Sequence, residues 1–360
     1  MDFDLSDEQR LLEQTLRRLL AEAAPPARVR EIMKGEAAHD PKLWAQIAEL
    51  GVASMLVPES HGGGGLALLD AAIAMQAFGH AATPAPFLAT SVLAPVALAA
   101  GTPAQQKTWL PRIAAGDAQI GVAATEIISR RADAGLRIEG GRIHGTALFA
   151  LDAGAADAFL VALDGDRIAL VARDVAGLGV TLLKTIDKTR RVAELEFANV
   201  APAEWVGGDA GVPGLSARVL AAGRIALAAD ILGACERAIE LAVAYAKQRE
   251  QFGRPIATFQ AVKHLCAEMV AELEPARSLV WYAAYAFDER PDEASLLALH
   301  AKAHLAEIGT QIVRTATEVH GGIGFTDEYD LHLWFKRVGL DRQLLGAPEL
   351  LRAEAAAAQW

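Results

Sequence analysis

The hydrophobic pattern of this 360-residue chain changes its period twice, from helical to strand-like and back to helical. Up to residue 116, apolar residues recur at helical spacing between Gly and Pro breaks. From 117 to 212, short alternating runs separated by turns predict strands, and from 213 onward long helical patterns are joined by short loops. The order predicts an α+β chain with an N-terminal helical domain (1–116), a middle antiparallel β-barrel or sandwich domain (117–212) and a C-terminal four-helix bundle (213–360).

Charge and composition exclude several classes of partner. The formal net charge is −11 and no Lys/Arg stripe stands out, which argues against nucleic acid. The most apolar stretch, Ala85–Ala100, contains two prolines and is too short to cross a bilayer, so no membrane partner is expected. The start is acidic and lacks the features of a signal peptide, and Cys235 and Cys266 have no disulfide or metal spacing. We therefore expect a cytoplasmic protein with reduced thiols.

Two short motifs have a plain structural explanation. The run His61–Gly65 could cradle a phosphate or form an esterase oxyanion loop, but the chain has no G-x-S-x-G nucleophile elbow, which favours a turn. His300, His304 and Glu307 share one helical face, yet no distant ligand completes a metal site, so structural histidines are favoured over zinc. No G-x-G-x-x-G follows a strand, which argues against a nicotinamide dehydrogenase on a Rossmann fold.

Two other segments carry more chemistry. Arg249–Gln260 (REQFGRPIATFQ) breaks a long helical pattern with Gly and Pro, and places arginines, whose forked donors suit a diphosphate, around a turn. Glu318–Glu328 (EVHGGIGFTDE) contains three glycines that let a ligand approach bare backbone N–H groups. By composition alone, a helix–helix connection with solvated charges would be favoured for the first segment, and the plain alternative for the second is a helix C-cap followed by a turn.

Together these two segments resemble the acyl-CoA dehydrogenase family. The resemblance extends over nearly the whole chain through Val57–Leu66, Ala124–Glu126 and Leu331–Arg337. It implies the same three-domain fold, an FAD cofactor, and oxidation of an acyl-CoA thioester to its 2-enoyl form. In that family a carboxylate takes the α proton while a hydride leaves the β carbon for the flavin.

The resemblance also assigns cofactor-binding residues. In the family, the adenosine diphosphate end of FAD is held by a neighbouring subunit through these two segments, with a Gln at the position of the second segment's Glu. The residues implied here are Arg249, Gln251, Phe252, Gly321, Gly322 and Glu318. The charge of the last would oppose a diphosphate unless a nearby arginine compensates for it.

The catalytic half of the family's site is missing from this sequence. The usual Glu positions correspond to Gly346 and Gly223, neither of which can take a proton. Glu349 and Asp230 are candidates for a substitute base, although neither stands at a position the family uses. We therefore predict no catalytic residue at the family's positions.

The family's flavin-ring contacts are altered as well. Phe149 and Leu151 stand where the family's W-I-T segment packs against the ring, and Leu151 has no hydroxyl for flavin N5. Ile127–Arg131 replaces a glycine-containing loop with bulky and cationic groups. The losses concentrate in the flavin and base half of the site, whereas the diphosphate half is retained.

This asymmetry resembles the small subunits of α2β2 acyl-CoA dehydrogenases found in bacterial breakdown of steroid side chains and other bulky acyl-CoAs. It implies a larger acyl-CoA dehydrogenase paralogue as partner, which binds the acyl-CoA and whose FAD site this chain completes. Two alternatives stay open: a self-sufficient homo-oligomeric dehydrogenase with Glu349 or Asp230 as base, and a flavin-free scaffold of the same fold.

Overall fold

The computed structural model describes residues 4–35, 38–128, 135–202 and 204–359. The first region is helical, as predicted, and Ser6 caps its first helix by accepting a hydrogen bond from the Gln9 amide at 3.2 Å. The first helix ends at Ala23, before Pro25 and Pro26, the pair of prolines that predicts its end in the sequence. Pro26 then begins a second helix, at a position where its missing N–H costs nothing. The elements are α1 (Asp7–Ala23), α2 (Pro26–Lys34), α3 (Pro41–Glu49), α4 (Leu68–Ala81), a π-helical turn (Leu88–Leu93), α5 (Ala94–Leu98) and α6 (Pro103–Ala114).

The middle region is one eight-stranded sheet. Its strands are β1 (Ile120–Ala123), β2 (Gly135–Glu139), β3 (Arg142–Leu151), β4 (Ala158–Leu163), β5 (Arg167–Ala172), β6 (Leu178–Leu182), β7 (Val192–Val200) and β8 (Glu204–Trp205). The order is β6-β7-β3-β1-β4-β5-β8, with β2 beside β3. In the described residues β6 and β8 end this path without pairing with each other, so the sheet is sandwich-like, and the barrel alternative is wrong. The sequence predicts a hairpin where Asp164–Arg167 separates two apolar runs, and the antiparallel pairing of β4 with β5 confirms it. In contrast, β1 and β4 run parallel, against the prediction of a purely antiparallel sheet.

Both faces of the sheet are buried, and β4 shows how the sequence alternation divides them. Leu160 and Ala162 belong to the large core that the sheet shares with the helices, whereas Phe159 and Val161 fill a second core inside the sheet domain. Successive side chains of a strand point to opposite faces, so this one strand joins both cores. The middle region is thereby fixed against the helices.

The third region is helical, and its four long predicted helices are confirmed. The elements are α7 (Leu215–Gln248), the short strands β9 (Glu250–Gln251) and β10 (Arg254–Pro255), α8 (Gln260–Glu289), α9 (Pro291–His320), a 3₁₀ segment (Gly321–Phe325), α10 (Leu331–Asp341) and α11 (Pro348–Gln359). The predicted domain boundaries, 116/117 and 212/213, fall between α6 and β1 and between β8 and α7. The division into independent domains stays a prediction. Within the described ranges, no helix is both long and apolar enough to cross a membrane.

α7 lies at the centre of the helices and touches α4 at very short range. A Cβ atom added at Gly79 would come within 2.0 Å of the Asp230 carbonyl oxygen, and one added at Gly233 within 1.8 Å of the Gln76 carbonyl oxygen. Two glycines therefore allow the backbones to cross in direct contact. This crossing joins the N-terminal helices to the bundle.

A buried ionic cluster ties the sheet to the same place. Arg337 of α10 donates to both carboxylate oxygens of Asp230, at 2.7 and 2.8 Å, and to the Thr189 hydroxyl at 3.0 Å. Arg190, on the loop before β7, lies 3.1 Å from Asp341 and 3.3 Å from Asp230. Burial raises the pKa of Asp341, and the Asp230 charge adds to that effect, although the Arg190 charge opposes it.

Lys302 on α9 is a second buried charge, next to the same cluster. Its Nζ donates to the Arg342 carbonyl at 3.3 Å, and its side chain has no solvent exposure. Burial lowers the pKa of Lys302 from 10.5 to about 7, although the nearby Asp341 charge opposes that shift. The folded protein therefore favours the neutral amine more than the unfolded chain does.

Replacing Lys302 with Met should change how stability depends on pH. Because the folded-state pKa lies below the unfolded one, Lys302 makes the free energy of unfolding rise between pH 7 and 10.5. The rise is at most about 1.4 kcal/mol per pH unit. Urea denaturation at pH 7 and pH 9 should show that wild type gains stability relative to K302M. A constant difference between the two proteins would contradict the assignment.

Candidate functional site

The two segments singled out in the sequence come together at one end of the bundle. The Tyr245 ring, in the last turn of α7, stacks on the ring of His320, the last residue of α9, with centroids 4.6 Å apart. The Tyr329 ring lies 4.8 Å from the His320 ring and edge-on to the Tyr245 ring at 6.0 Å, so the three rings pack together. The carbonyl of Tyr245 accepts the Arg249 amide at 2.8 Å, so this aromatic stack also fixes where the first segment begins. The structure therefore joins residues far apart in sequence into one surface.

The first segment is a tight hairpin that presents its side chains to solvent. Arg249 and Gln251 are exposed, and Phe252, at the tip, is 92% exposed with a φ of 54°. The Arg254 guanidinium lies 4.2 Å from the centre of the Phe259 ring. The Phe252 ring meets the Phe259 ring edge-on at 6.0 Å. An exposed Phe held in a left-handed conformation costs free energy, and such strain is concentrated at functional sites.

The second segment offers bare backbone directly after His320. Gly321 has φ 66° and ψ −145°, a region that essentially only glycine adopts. A Cβ atom added at Gly321 or at Gly322 would meet no atom within 4 Å, so the backbone is open to a ligand. Glu318 is exposed on the last turn of α9. These residues have room for a diphosphate, and arginines at the hairpin provide the positive charge.

The structure explains why the usual base positions hold glycine. A Cβ atom at Gly346, whose φ is 113°, would lie 2.6 Å from a Leu351 methyl carbon. At Gly223 it would lie 2.4 Å from a Leu345 methyl carbon and 3.0 Å from one of Leu93. Leucine side chains fill the space that a carboxylate would need at either place.

Neither of the two candidates for a substitute base, Asp230 and Glu349, lies in an open site. Asp230 is completely buried, and although burial alone would raise its pKa, Arg337 and Arg190 hold the pKa below its usual range. Glu349 is exposed on α11 and pairs with Arg342 at 2.6 Å. Asp230 therefore has a structural partner, and Glu349 forms an exposed ion pair at the protein surface.

Sequence reasoning missed one carboxylate that does reach this region. Glu354, one turn beyond Leu351 on α11, binds the Arg224 guanidinium through both oxygens, at 3.0 and 2.9 Å. Arg224 also donates from Nε to the Leu345 carbonyl at 3.1 Å. A Glu bordering the buried face of an amphipathic helix was visible in the sequence, but its partner, 130 positions earlier, was not.

The residues expected near a flavin ring make their own internal contacts. Phe149 is 37% exposed with φ 53°, whereas Leu151 is buried within β3. Glu126 is buried and accepts the Leu148 amide at 3.2 Å. The Ser129–Arg131 part of the altered loop lies outside the described residues.

The glycine run at His61 and the side chain of Glu307 make contacts within the described chain. A Cβ atom at Gly63 would come within 2.0 Å of the Val57 carbonyl oxygen, so the glycine run at His61 closes a tight turn. Glu307 pairs with Arg352, and no group of three or more metal-binding side chains is found in the described residues.

Comparison with known proteins agrees with the fold and with these motifs. Residues 6–117 match the model of the acyl-CoA dehydrogenase N-terminal domain, and residues 210–359 match that of the C-terminal domain. Acyl-CoA dehydrogenase IpdE2 of Mycolicibacterium smegmatis is 33% identical over 356 residues, covering 98% of this chain and 99% of the relative. The chain belongs to the acyl-CoA dehydrogenase family. It is thus a member of a family of oxidoreductases, as the sequence motifs indicated.

Two solved structures show the same architecture as this acyl-CoA dehydrogenase family member. A chain of the ChsE4–ChsE5 complex from Mycobacterium tuberculosis has a TM-score of 0.90 at 28% identity, covering 100% of this chain and 99% of that one. A chain of a Tcur3481–Tcur3483 steroid ACAD variant has a TM-score of 0.87 at 29% identity, covering 98% and 99%. The first of these structures is a complex of ChsE4 with ChsE5, and the second carries the two names Tcur3481 and Tcur3483.

Replacing Asp230 and Glu349, each by its amide, should show which of the two carboxylates stabilises the fold. Asp230→Asn leaves the buried Arg337 without its ion partner, which costs about 3–5 kcal/mol of unfolding free energy. Glu349→Gln removes only an exposed pair and should leave the urea midpoint unchanged. Equal midpoints for D230N and wild type would contradict the structural role of Asp230.

Restoring a carboxylate at the usual base position should fail. Gly346→Glu introduces strain at positive φ and overlap with Leu351, and we expect it to destabilise the fold by at least about 2 kcal/mol without creating acyl-CoA oxidation. Gly339→Ala, in open space on α10, is the matched control and should keep or increase stability. A G346E protein with full stability and turnover would show that the leucines do not close this position.

Proposed function

We propose that this chain is the non-catalytic subunit of a heteromeric, FAD-dependent acyl-CoA dehydrogenase. Its partner is a larger paralogue, in an assembly of α2β2 type, that carries the catalytic carboxylate, the flavin-ring pocket and the acyl-CoA. This chain completes the partner's FAD site with its exposed end of the bundle. The reaction of the complex is α,β-dehydrogenation of an acyl-CoA thioester.

One observation carries the proposal: in this fold the base half of the family's site is filled by side chains, whereas the diphosphate half is open to solvent. Where the base would stand, Leu345 and Leu351 occupy the space. Where the diphosphate would be held, the side chains of Arg249 and Gln251 and the Gly321 backbone face open solvent. A chain with a filled catalytic half and an open diphosphate half can serve a neighbour's site but not supply a complete site of its own.

The residues present fit the diphosphate and adenine portion of FAD. Arg249 supplies forked donors, Gln251 supplies an amide, and the bare N–H groups at Gly321 and Gly322 supply backbone donors. Phe252 supplies a flat apolar surface for an adenine ring. When bound, FAD provides the hydride acceptor for the oxidation. This chain binds and orients the cofactor, and the proton-abstracting group belongs to the partner.

Similar structures support a hetero-oligomer. The ChsE4–ChsE5 complex and the Tcur3481–Tcur3483 steroid ACAD each combine two named components, and this chain matches a chain of each over nearly its full length. A steroid-derived or other bulky acyl-CoA is therefore the substrate class we propose for the complex. The exposed Phe252 and Phe325, 92% and 78% accessible, would be covered by the partner.

The test is co-expression with the larger paralogue, followed by counting flavins per chain. We expect about one FAD per pair of unlike chains, because only the partner has a flavin-ring pocket. The chain expressed alone should be colourless and inactive. Arg249→Ala in the complex should weaken FAD retention by about tenfold or more, since it removes a charged contact to the diphosphate.

Arg112→Ala is the matched control, because Arg112 is exposed on α6 and its guanidinium lies 5.1 Å from the centre of the Trp109 ring. It should retain full FAD content. A yellow, active preparation of this chain alone would favour the self-sufficient enzyme instead. A complex whose FAD content is unaffected by R249A would favour the flavin-free scaffold.

A further inference from the structure

The open backbone at Gly321 and Gly322 is followed by a short segment, residues 326–330, that leads into α10. Tyr329 of this segment packs with the rings of His320 and Tyr245, at centroid distances of 4.8 and 6.0 Å. His320 directly precedes the first open glycine, and the Tyr245 carbonyl accepts the amide that begins the hairpin. The placement of segment 326–330 therefore bears on both parts of the diphosphate surface.

Two ion pairs hold this segment near its ends. Lys336 of α10 donates from Nζ to Asp327 at 3.2 Å. Arg30 of α2 donates from Nε to Oδ1 of Asp330 at 3.0 Å, and its Nη2 lies 2.9 Å from the same oxygen. The first pair joins residues nine positions apart, whereas the second joins residues 300 positions apart. A helix of the N-terminal region thus holds the segment that follows the open glycines.

The Arg30–Asp330 pair is placed to act locally. Val29 and Ile32, on either side of Arg30 in α2, are buried, so the helix that carries the arginine is anchored by its apolar face. The Arg30 side chain is 25% exposed and that of Asp330 is 40% exposed. An ion pair this accessible to water contributes little to the stability of the whole fold. Its main effect is therefore on the placement of the neighbouring Tyr329.

We propose that Arg30 is a positioning residue for the diphosphate-binding backbone. By holding Asp330 it keeps Tyr329 against His320, and the His320 ring fixes the direction in which the chain enters Gly321. Backbone N–H groups that are already in place bind a ligand without the cost of ordering them. This inference rests on the proposed function, and it adds that an N-terminal helix of this subunit controls how tightly the complex holds FAD.

The first measurement is hydrogen–deuterium exchange of the isolated full chain, read by mass spectrometry over residues 321–330. Arg30→Met removes the charge and keeps an apolar stem, and it should exchange there at least about threefold faster at an unchanged urea midpoint. Arg28→Met is the matched control, because Arg28 lies on the same helix but pairs with Asp40 and Glu31. It should leave exchange over residues 321–330 as in wild type. Unchanged exchange in R30M would overturn the proposal.

The second measurement is the rate at which FAD leaves the complex with the larger paralogue, followed by the fluorescence of the released flavin. R30M should release FAD about fivefold faster than wild type, and Asp330→Asn should do the same, since each variant removes the same pair. The double variant R30M/D330N should be no faster than either single variant. Additive effects would show two separate roles and contradict the proposal. R28M should release FAD at the wild-type rate.

The positioning role and the proposed function fail in different ways. If R249A loses FAD and R30M does not, the proposed function stands and the role of Arg30 is overturned. If R249A retains FAD, the proposed function fails, and the link from Arg30 to the cofactor fails with it. The exchange measurement then decides by itself whether Arg30 places the backbone after His320.

Discussion

The buried contact between Asp230 and Arg337 is the interaction on which the rest of the structure depends. It lies where α7, α10 and the loop before β7 meet. Arg337 also donates to the carbonyl of Thr83, which follows the end of α4 in the sequence. All three regions of the chain therefore touch one ion pair. A buried pair gives limited net stability but penalises any arrangement that leaves one charge alone. It thus fixes how the sheet and the helices are placed relative to one another.

That fixed arrangement determines the chemistry of the chain. With α7 and α10 held together, the turn after α10 brings Leu345 against Gly223, and α11 brings Leu351 against Gly346. Both positions that a catalytic carboxylate occupies in the family are packed as part of the core. The far ends of α7 and α9 are joined differently, through the Tyr245–His320 stack, which leaves an open, charged surface. One fold therefore combines two glycine positions closed by leucines with one open, charged surface, which are the two features on which the proposed function rests.

Much of the fold could be predicted because its signals are local. The change of period located the helical regions and the sheet, and Asp164–Arg167 located the β4–β5 hairpin. The parallel pairing of β1 and β4 could not be predicted, because strand order depends on long-range packing and not on alternation. The helix starting at Pro26 was missed since proline both ends and begins helices.

The sequence by itself determined the family, and it showed glycine at positions 346 and 223 and Arg249 and Gln251 at the motif positions proposed to hold the diphosphate, because each is a matter of which side chain stands at a motif position. Only the tertiary structure decided that leucines fill those positions, that Asp230 is committed to Arg337, and that Glu354 binds Arg224. The reason is physical: the charge state and the free space of a side chain depend on neighbours from distant parts of the chain, and these meet only when the chain has folded.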